Sequence, residues 1–332
     1  MKVLITGGGG FLGRRLARKL LERGRLKDRD GREQPIEQLV LLDIVAAEGF
    51  SDPRVGVVTG DIGDAELLDS VIDADTVSIF HLAAIVSGQA EADFDLGMRI
   101  NLDASRLLLD ACRRRSHRPK VLFTSSVAVY GGVLPTMVTD DTALHPQSSY
   151  GVQKAIAELL LADYSRKGFV DGRILRLPTI SVRPGRPNKA ASSFASGIIR
   201  EPLNGEEALC PVAADTRLWL LSPRQAIECL VWGHDLGADA FATNRSVNLP
   251  GVSVSVGDMA ATLGKVGGPE ALGRLRWERD PAVERIVGGW PGRWDISRAT
   301  ALGFAGDRDF ESIVRAYVED DLPATTATEA PS

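Results

Sequence analysis

The feature that most constrains this chain is its opening, MKVLITGGGGFLG. Lys2-Val3-Leu4-Ile5-Thr6 is apolar and β-branched and then breaks into glycine, the pattern of a short buried strand. From Arg14 to Leu21 the residues Leu16, Ala17, Leu20 and Leu21 fall on one helical face. Gly7, Gly10 and Gly13 therefore sit where a strand turns into a helix. Gly7 permits the tight turn. Gly10 lets backbone amides approach a pyrophosphate, and Gly13 lets the helix pack closely on the strand. Phe11 and Leu12 open the helix, whose N–H groups and partial positive charge suit phosphates. A glycine run alone fits a flexible turn equally well. The strand before it and the amphipathic helix after it favour a dinucleotide pocket.

The second strand closes that pocket. Gln38–Leu42 is apolar and ends on Asp43, where a carboxylate accepts from both adenosine ribose hydroxyls and repels a 2′-phosphate. This selects NAD over NADP. Asp43 lies 30 residues beyond Gly13, against about 20 in the usual arrangement. Residues 25–35 make up the difference and read as a polar surface loop or hairpin. Asp61-Ile62 follows a third strand. Asp61 suits the adenine amino group with Ile62 packed on the ring, or equally a helix N-cap before Ala65–Val71. His81-Leu82-Ala83-Ala84 ends the fourth strand. Ala83 and Ala84, after Leu82, are small enough for a cofactor to lie flat across the strand end, and His81 reads as a hydrogen-bonded structural histidine.

Strands are predicted at 2–6, 38–43, 55–59, 76–81, 120–125 and 172–177, with helices at 11–23, 64–72, 94–115 and 147–167. Alternating βαβ units imply an α/β fold, a doubly wound parallel sheet of Rossmann type with helices on both faces. Beyond Pro178 the alternation fades. Residues 183–217 hold Pro184, Pro187, Pro202 and Pro211 and an Ala/Ser run at 190–196. The expected organisation is a nucleotide-binding domain over 1–182 with a strand returning near 245–249, and a smaller, discontinuous substrate cap over 183–244 and 250–323. Helices are expected at 255–266 and 309–321, and a frayed polar tail at 324–332. Trp219, Trp290 and Trp294 read as cap core.

Composition narrows the function. A net charge of −5 argues against a nucleic-acid partner. No apolar run approaches the ~18 residues that span a bilayer. Cys112, Cys210 and Cys229 are odd in number and widely spaced, so neither a disulfide framework nor a metal site is expected. A strand beginning one residue after Met1 leaves no room for a leader, and a cytoplasmic setting is expected.

Tyr150 and Lys154 are i and i+4 on the predicted helix 147–167, so they face the same way. A free tyrosine titrates near 10. A neighbouring ammonium and a nicotinium charge are expected to lower it, so that Tyr150 takes a hydroxyl proton as hydride leaves the carbon. Lys154 also reaches the nicotinamide ribose. Thr124-Ser125-Ser126 stands at a strand's carboxyl end. Ser126 is expected to bond a substrate hydroxyl, and Ser125 to cap the strand-to-loop junction. Asn101 is a poor helix former inside 94–115, so a kink or a water relay toward Lys154 is expected.

These residues resemble the extended short-chain dehydrogenase/reductase family. The matching elements are TGGGGFLG (6–13), Asp43, Asp61-Ile62, HLAA (81–84), Asn101, SSVAVYGG (125–132) and YGVQK (150–154). The resemblance implies bound NAD, a Ser126/Tyr150/Lys154/Asn101 catalytic set, Pro178 where backbone meets the carboxamide, and a homodimer through helices 94–115 and 147–167. The chain departs from the nucleotide-sugar members. Val127-Ala128 replace the Asp-Glu pair of dehydratases, Thr179 replaces the epimerase Asn, and Pro223-Arg224 replace an acidic pair after Arg217-Leu218-Trp219. The alternative is a nucleotide-sugar 4-epimerase with tightly held NAD.

Residues 87–99, 177–188, 192–206 and 217–224 are more similar to a group in this family that oxidises the C2 hydroxyl of D-erythronate, a four-carbon sugar acid, with NAD. That similarity implies a small sugar-acid substrate and the product 2-dehydro-D-erythronate. A carboxylate beside the reacting carbon needs a cation or several donors. Arg183, Arg200, Arg217 and Arg224 are candidates, with Ser87, Thr179 and Ser193 as hydroxyl donors. Each arginine reads equally well as a surface salt bridge.

Overall fold

The computed structural model describes residues 1–186 and 191–322. The tail expected at 324–332, together with Pro187 and Ala190, lies outside the described residues. The chain runs β1 (Lys2–Thr6), α1 (Phe11–Arg23), β2 (Arg25–Lys27), β3 (Glu33–Pro35), β4 (Gln38–Asp43), β5 (Val55–Thr59), α2 (Ala65–Val71) and β6 (Thr76–His81). It continues through α3 (Ser87–Ala92), α4 (Phe94–Gly97), a π-turn over Met98–Asp103, α5 (Ala104–Arg115), β7 (Lys120–Ser126), α6 (Ser149–Arg166) and β8 (Asp171–Leu177). Then come β9 (Thr179–Ile180), α7 (Phe194–Leu203), β10 (Ala208–Cys210), β11 (Arg217–Leu221), α8 (Pro223–Asp235) and β12 (Ser246–Asn248). The last elements are β13 (Val252–Ser255), α9 (Val256–Gly273), β14 (Leu275–Trp277), α10 (Pro281–Val287), α11 (Ser297–Ala301) and α12 (Phe310–Asp320).

One unit comprises Met1–Val129, Ser148–Arg176 and Ile227–Val247. Its sheet has the order β12-β8-β7-β6-β1-β4-β5. β1 pairs in parallel with both β4 and β6, β4 with β5, and β6 with β7. The chain winds outward from β1 on one side and from β6 on the other, so β1/β6 is the switch point where such sheets bind ligands. Leu4, Ile5, Leu41, Ile79 and Ile174 are almost fully buried, each contributing ~1.5–3 kcal/mol over an exposed side chain. The insert at 25–35 is a hairpin, β2 against β3. The returning strand predicted at 245–249 is β12, hydrogen-bonded at the β8 edge.

The second unit comprises Tyr130–Gln147, Leu177–Ala226 and the chain from Asn248 onward. It holds a three-stranded sheet, β13-β11-β9, and a parallel pair, β10 and β14. Its core includes Val182, Ile198, Leu218, Val256, Leu263 and Ile313. Trp219 and Trp294 are buried and stacked with centroids 6.0 Å apart, as core residues should be. The helix predicted at 255–266 continues to Gly273 across a kink at Gly268 (φ 80°), just before Pro269. α12 starts on a capping box made by Asp309 and Ser312.

These boundaries differ from a division at residue 182. Residues 130–147 fall in the second unit, and 227–244 in the first. The cause of the latter is visible in α8. Leu230 and Val231 are buried, and fully buried His234 bonds Ser78 of β6 at 2.9 Å and stacks on Phe80 at 4.9 Å.

Candidate active site

The dinucleotide cradle is built from the carboxyl ends of β1, β4 and β6. Gly7 has φ 74°, and a Cβ there would sit 2.8 Å from the Ala83 nitrogen. A Cβ on Gly13 would strike the Gly7 carbonyl. Gly10 is the N-cap of α1 and offers no capping side chain, so the first-turn N–H groups of Phe11, Leu12 and Gly13 stay open to an anion. Leu82, Ala83 and Ala84 are half-buried after β6. Asp43 ends β4, and its carboxylate accepts from Gly9 N at 3.0 Å and Val45 N at 3.3 Å. An acid, a helix terminus and a side-chain-free turn converge here, and they fit a dinucleotide.

Asp61 is placed differently from the capping alternative. The N-cap of α2 is Asp64, which accepts from Glu66 N and Leu67 N. Asp61 instead accepts from Gly63 N at 2.7 Å and pairs with Arg99 at 2.5 Å. Its carboxyl stays below the usual range despite opposing desolvation, through the Arg99 and Gly63 bonds. Ile62 is 7% exposed within the core that contains Leu4 and Ile79.

Tyr150 and Lys154 lie on α6, which Ser148 caps by accepting from Gly151 N at 3.2 Å. Tyr150 keeps some exposed surface as a residue, while its phenol end is enclosed. Burial pushes the phenol up to about 12, and a hydrogen bond with Ser126 pulls the other way. The lowered tyrosine expected from the neighbouring ammonium is therefore not found in the protein alone. The physical reason is that desolvation disfavours both charges. Lys154 is itself brought down to about 7, by burial first, against an opposing pull from Glu158. The Lys154 ammonium donates to the Thr124 carbonyl at 2.9 Å and lies 4.5 Å from the Phe123 ring centroid. Ser126 ends β7 and its Oγ accepts from Ala128 N at 3.1 Å. Ser125 does not cap the junction: its buried Oγ has no partner among the described residues.

Asn101 is 1% exposed and sits in the π-turn, so the kink, not a continuous helix 94–115, is what the structure contains. Its Oδ1 accepts from Ile85 N at 2.8 Å. Its Nδ2 donates to Ile85 O at 3.1 Å and to Gln153 Oε1 at 2.7 Å. Both amide hydrogens are thus spent on positioning α6 and the loop after β6. Ser105 Oγ donates to the Asn101 carbonyl at 2.8 Å. His81 Nε2 then donates to Ser105 (2.9 Å) and Nδ1 accepts from Thr6 (2.7 Å), an assignment made from this network. Burial holds His81 down at about 3, so it stays neutral and structural. Gln153 has the better claim to attention than its motif position suggests: it is fully buried and its Nε2 has no partner among the described residues.

The remaining substrate candidates divide between the units. Ser87 begins α3 in the first. In the second, buried Pro178 precedes Thr179, which opens β9, and Ser193 ends a 3-10 turn before α7. Arg224 is a surface ion pair with Glu319 and Asp320. Arg200 pairs with Glu201 and donates to the Arg183 carbonyl at 2.7 Å. Arg217 is exposed and reaches Ser253 Oγ at 3.4 Å. Arg183 is half-buried and its Nε has no partner among the described residues. Desolvation and the Arg200 charge both press its guanidinium downward.

Known proteins resemble this chain over nearly its whole length. A D-erythronate dehydrogenase of Cupriavidus necator is 63% identical over 96% of this chain and 98% of its own length. One from Haemophilus influenzae is 45% identical over 97% of this chain and all of its own. A solved structure described as a nucleoside-diphosphate-sugar epimerase from Agrobacterium tumefaciens superposes with a TM-score of 0.91 at 41% identity, covering 97% of this chain and 95% of that one. Residues 3–221 match the NAD dependent epimerase/dehydratase family, and the chain belongs to that family.

Proposed function

We propose that the protein oxidises the C2 hydroxyl of D-erythronate to 2-dehydro-D-erythronate with NAD. The observation that carries this is the Ser126–Tyr150–Lys154 cluster, intact in a chain that matches two D-erythronate dehydrogenases over nearly their whole lengths. Bound NAD supplies the hydride acceptor. Gly7, Gly10 and Gly13 with Phe11 and Leu12 hold its pyrophosphate, and Asp43 takes the adenosine ribose and rejects a 2′-phosphate. Asp61, Ile62, Leu82, Ala83, Ala84 and Pro178 complete the cofactor side. Ser126 orients the substrate hydroxyl, and Tyr150 takes its proton. Lys154 steadies the phenolate, and Asn101 fixes the backbone around it. A positive charge brought close to Tyr150 is what the enclosed phenol requires to ionise near neutral pH.

The substrate carboxylate is read by Arg183, the half-buried guanidinium that lacks a carboxylate partner among the described residues. Ser87, Thr179, Ser193 and Arg217 serve the remaining oxygens. The enzyme is a cytoplasmic homodimer. Val152, Ile156 and Leu159 form an exposed apolar stripe on α6 (40, 40 and 68% exposed), which suits a helical interface.

The test is absorbance at the NADH band, with purified protein, NAD or NADP, and a panel of four-carbon sugar acids beside UDP-glucose. NADH growth with D-erythronate and NAD is expected. Interconversion of a UDP-sugar without net NADH would replace this reading with the epimerase.

A further inference from the structure

Lys154 is a fully buried cation with few partners. One ammonium hydrogen goes to the Thr124 carbonyl at 2.9 Å, and the rings of Phe123 and Tyr150 lie 4.5 and 5.8 Å from the nitrogen. Aromatic faces attract a cation but do not neutralise it. The titratable groups around Lys154 are neutral His81 from β6, Tyr150 and Glu158 from its own helix, and Arg176 of β8 behind Glu158. β7 presents only the carbonyl and a ring.

An opposing charge is carried by α6 itself, one turn from Lys154 and outside direct ion-pair contact with it. Glu158 lies four residues beyond Lys154, so the two share a helix face. It is 2% exposed, and a carboxylate so buried requires an anchor. Arg176, 4% exposed, provides one. Its Nε donates to Oε1 at 2.9 Å and Oε2 at 3.1 Å, and Nη2 donates to Oε2 at 2.7 Å. Ser246 of β12 adds a long contact at 3.5 Å. Fork-to-fork pairing of this kind fixes a carboxylate in direction as well as position.

We infer that the Glu158–Arg176 pair is a positioning device for Lys154: Arg176 immobilises the carboxylate, and the carboxylate keeps the ammonium charged beside Tyr150. This deepens the proposed function and rests on the role given there to Lys154. Burial alone drives Lys154 toward the neutral amine, and Glu158 is the charge that opposes it.

Glu158→Gln alone strands a buried arginine, so the test uses the double variant Glu158→Gln/Arg176→Met. Glu158→Asp serves as the conservative rescue, and each is repeated in a Lys154→Met background. The unfolding midpoint of the protein alone is followed from pH 6 to pH 9. Native Lys154 is charged below about 7 and neutral above it. Its attraction to Glu158 is therefore present at pH 6 and gone by pH 9. The gap between wild type and double variant is expected to be roughly 2–4 °C wider at pH 6. It should be flat across pH in the Lys154→Met background, and Glu158→Asp should restore the wild-type dependence. A pair that only braces the fold gives the same gap at every pH, and that result overturns the inference. Should the double variant not fold, carbon-13 NMR of the lysine ε-carbons in wild type and Arg176→Lys decides instead. A lower Lys154 midpoint in the variant supports the inference, and an unchanged one overturns it. Turnover separates this from the reading beneath it. A pH-dependent gap with unimpaired D-erythronate oxidation leaves the anchor standing and removes Lys154 from catalysis.

Discussion

Two buried lysines occupy opposite ends of one strand, and their surroundings are finished differently. Lys120 opens β7. Its ammonium donates to the carbonyls of Lys27 and His234, each at 3.0 Å. Around it Arg173 pairs with Asp171 at 3.0 Å and donates to Leu236 O at 2.8 Å, and Arg245 pairs with Asp171 at 3.3 Å. Lys154 lies at the other end of β7, with a single carbonyl and two aromatic rings. Near it the Ser125 hydroxyl and the Gln153 amide nitrogen have no partner among the described residues. Burial lowers both lysines, Lys120 to about 8 and Lys154 to about 7. Depth therefore does not distinguish them. What does is the number of acceptors each ammonium meets, two carbonyls for Lys120 against one for Lys154. The Lys120 cluster is not fully satisfied either, since buried Arg173 Nε has no partner among the described residues. The contrast therefore rests on the ammonium groups, where unmet capacity is what a ligand can satisfy.

The sharpest way to break this contrast starts with the largest effect. Tyr150→Phe removes the proposed base together with its hydrogen bond to Ser126, so kcat/KM for D-erythronate should fall by about 10²–10⁴. NAD binding, followed by titration calorimetry, should be nearly unchanged. A variant that retained a few per cent of activity or more, beyond this range, would end the assignment. The lysines come next. Lys154→Met should lose activity on the same scale with a smaller loss of unfolding temperature than Lys120→Met, since it strands one carbonyl. Lys120→Met should do the reverse, because it strands two buried carbonyls at a cost of about 1–3 kcal/mol each. Parallel kcat/KM and melting measurements decide the matter. If Lys154→Met proved the less stable and Lys120→Met the less active, the contrast would be wrong.

The sheet and its carboxyl edge were largely legible in the sequence. Local signals govern them: strand–glycine–helix at 2–23, an acid ending 38–43, and an i, i+4 pair at 150 and 154. The π-turn at 98–103 was legible only as a misfit, Asn101 inside a helix pattern. The Glu158–Arg176 pair and the Lys120 cluster were not legible. Glu158 and Arg176 are 18 residues apart and Lys120 and His234 are 114 apart, and isolated Glu, Arg or Lys read as solvated surface. His234 was missed for the same reason. Nothing local shows that α8 packs on β6, so 227–244 was read as part of the cap. The Tyr150 phenol was misjudged because a sequence shows which charges are neighbours but not how much water they lose.

The arginines of the second unit extend the comparison to charges near the surface. Arg224 has a full set of carboxylate partners, and Arg183 has none among the described residues. Arg183→Met should raise the KM for D-erythronate by about 10–100-fold, the worth of a charged hydrogen bond, with a smaller effect on kcat. Arg224→Met should change KM by less than about fivefold, as exposed ion pairs contribute little. Equal effects from the two would show that an unpaired guanidinium is no guide to the carboxylate site.

The last effect belongs to the structural cluster and is read from pH. His234 is fully buried, and desolvation holds it down at about 4 despite the opposing pull of Asp235. Free imidazole titrates near 6.5. Between these values the unfolded chain binds a proton that the native chain refuses. Stability from neutral His234 is thus complete above about 6.5 and declines as pH falls toward 4. From pH 6.5 to pH 5 this one group should cost ~2 kcal/mol, or roughly 4–8 °C of melting temperature. His81, held at about 3, adds to the same decline. His234→Gln should therefore flatten the acid slope without abolishing it, while His81 remains to be titrated. Calorimetry of both proteins at pH 7 and pH 5 measures the difference. If wild type and variant lose the same number of degrees, His234 is not the refused proton.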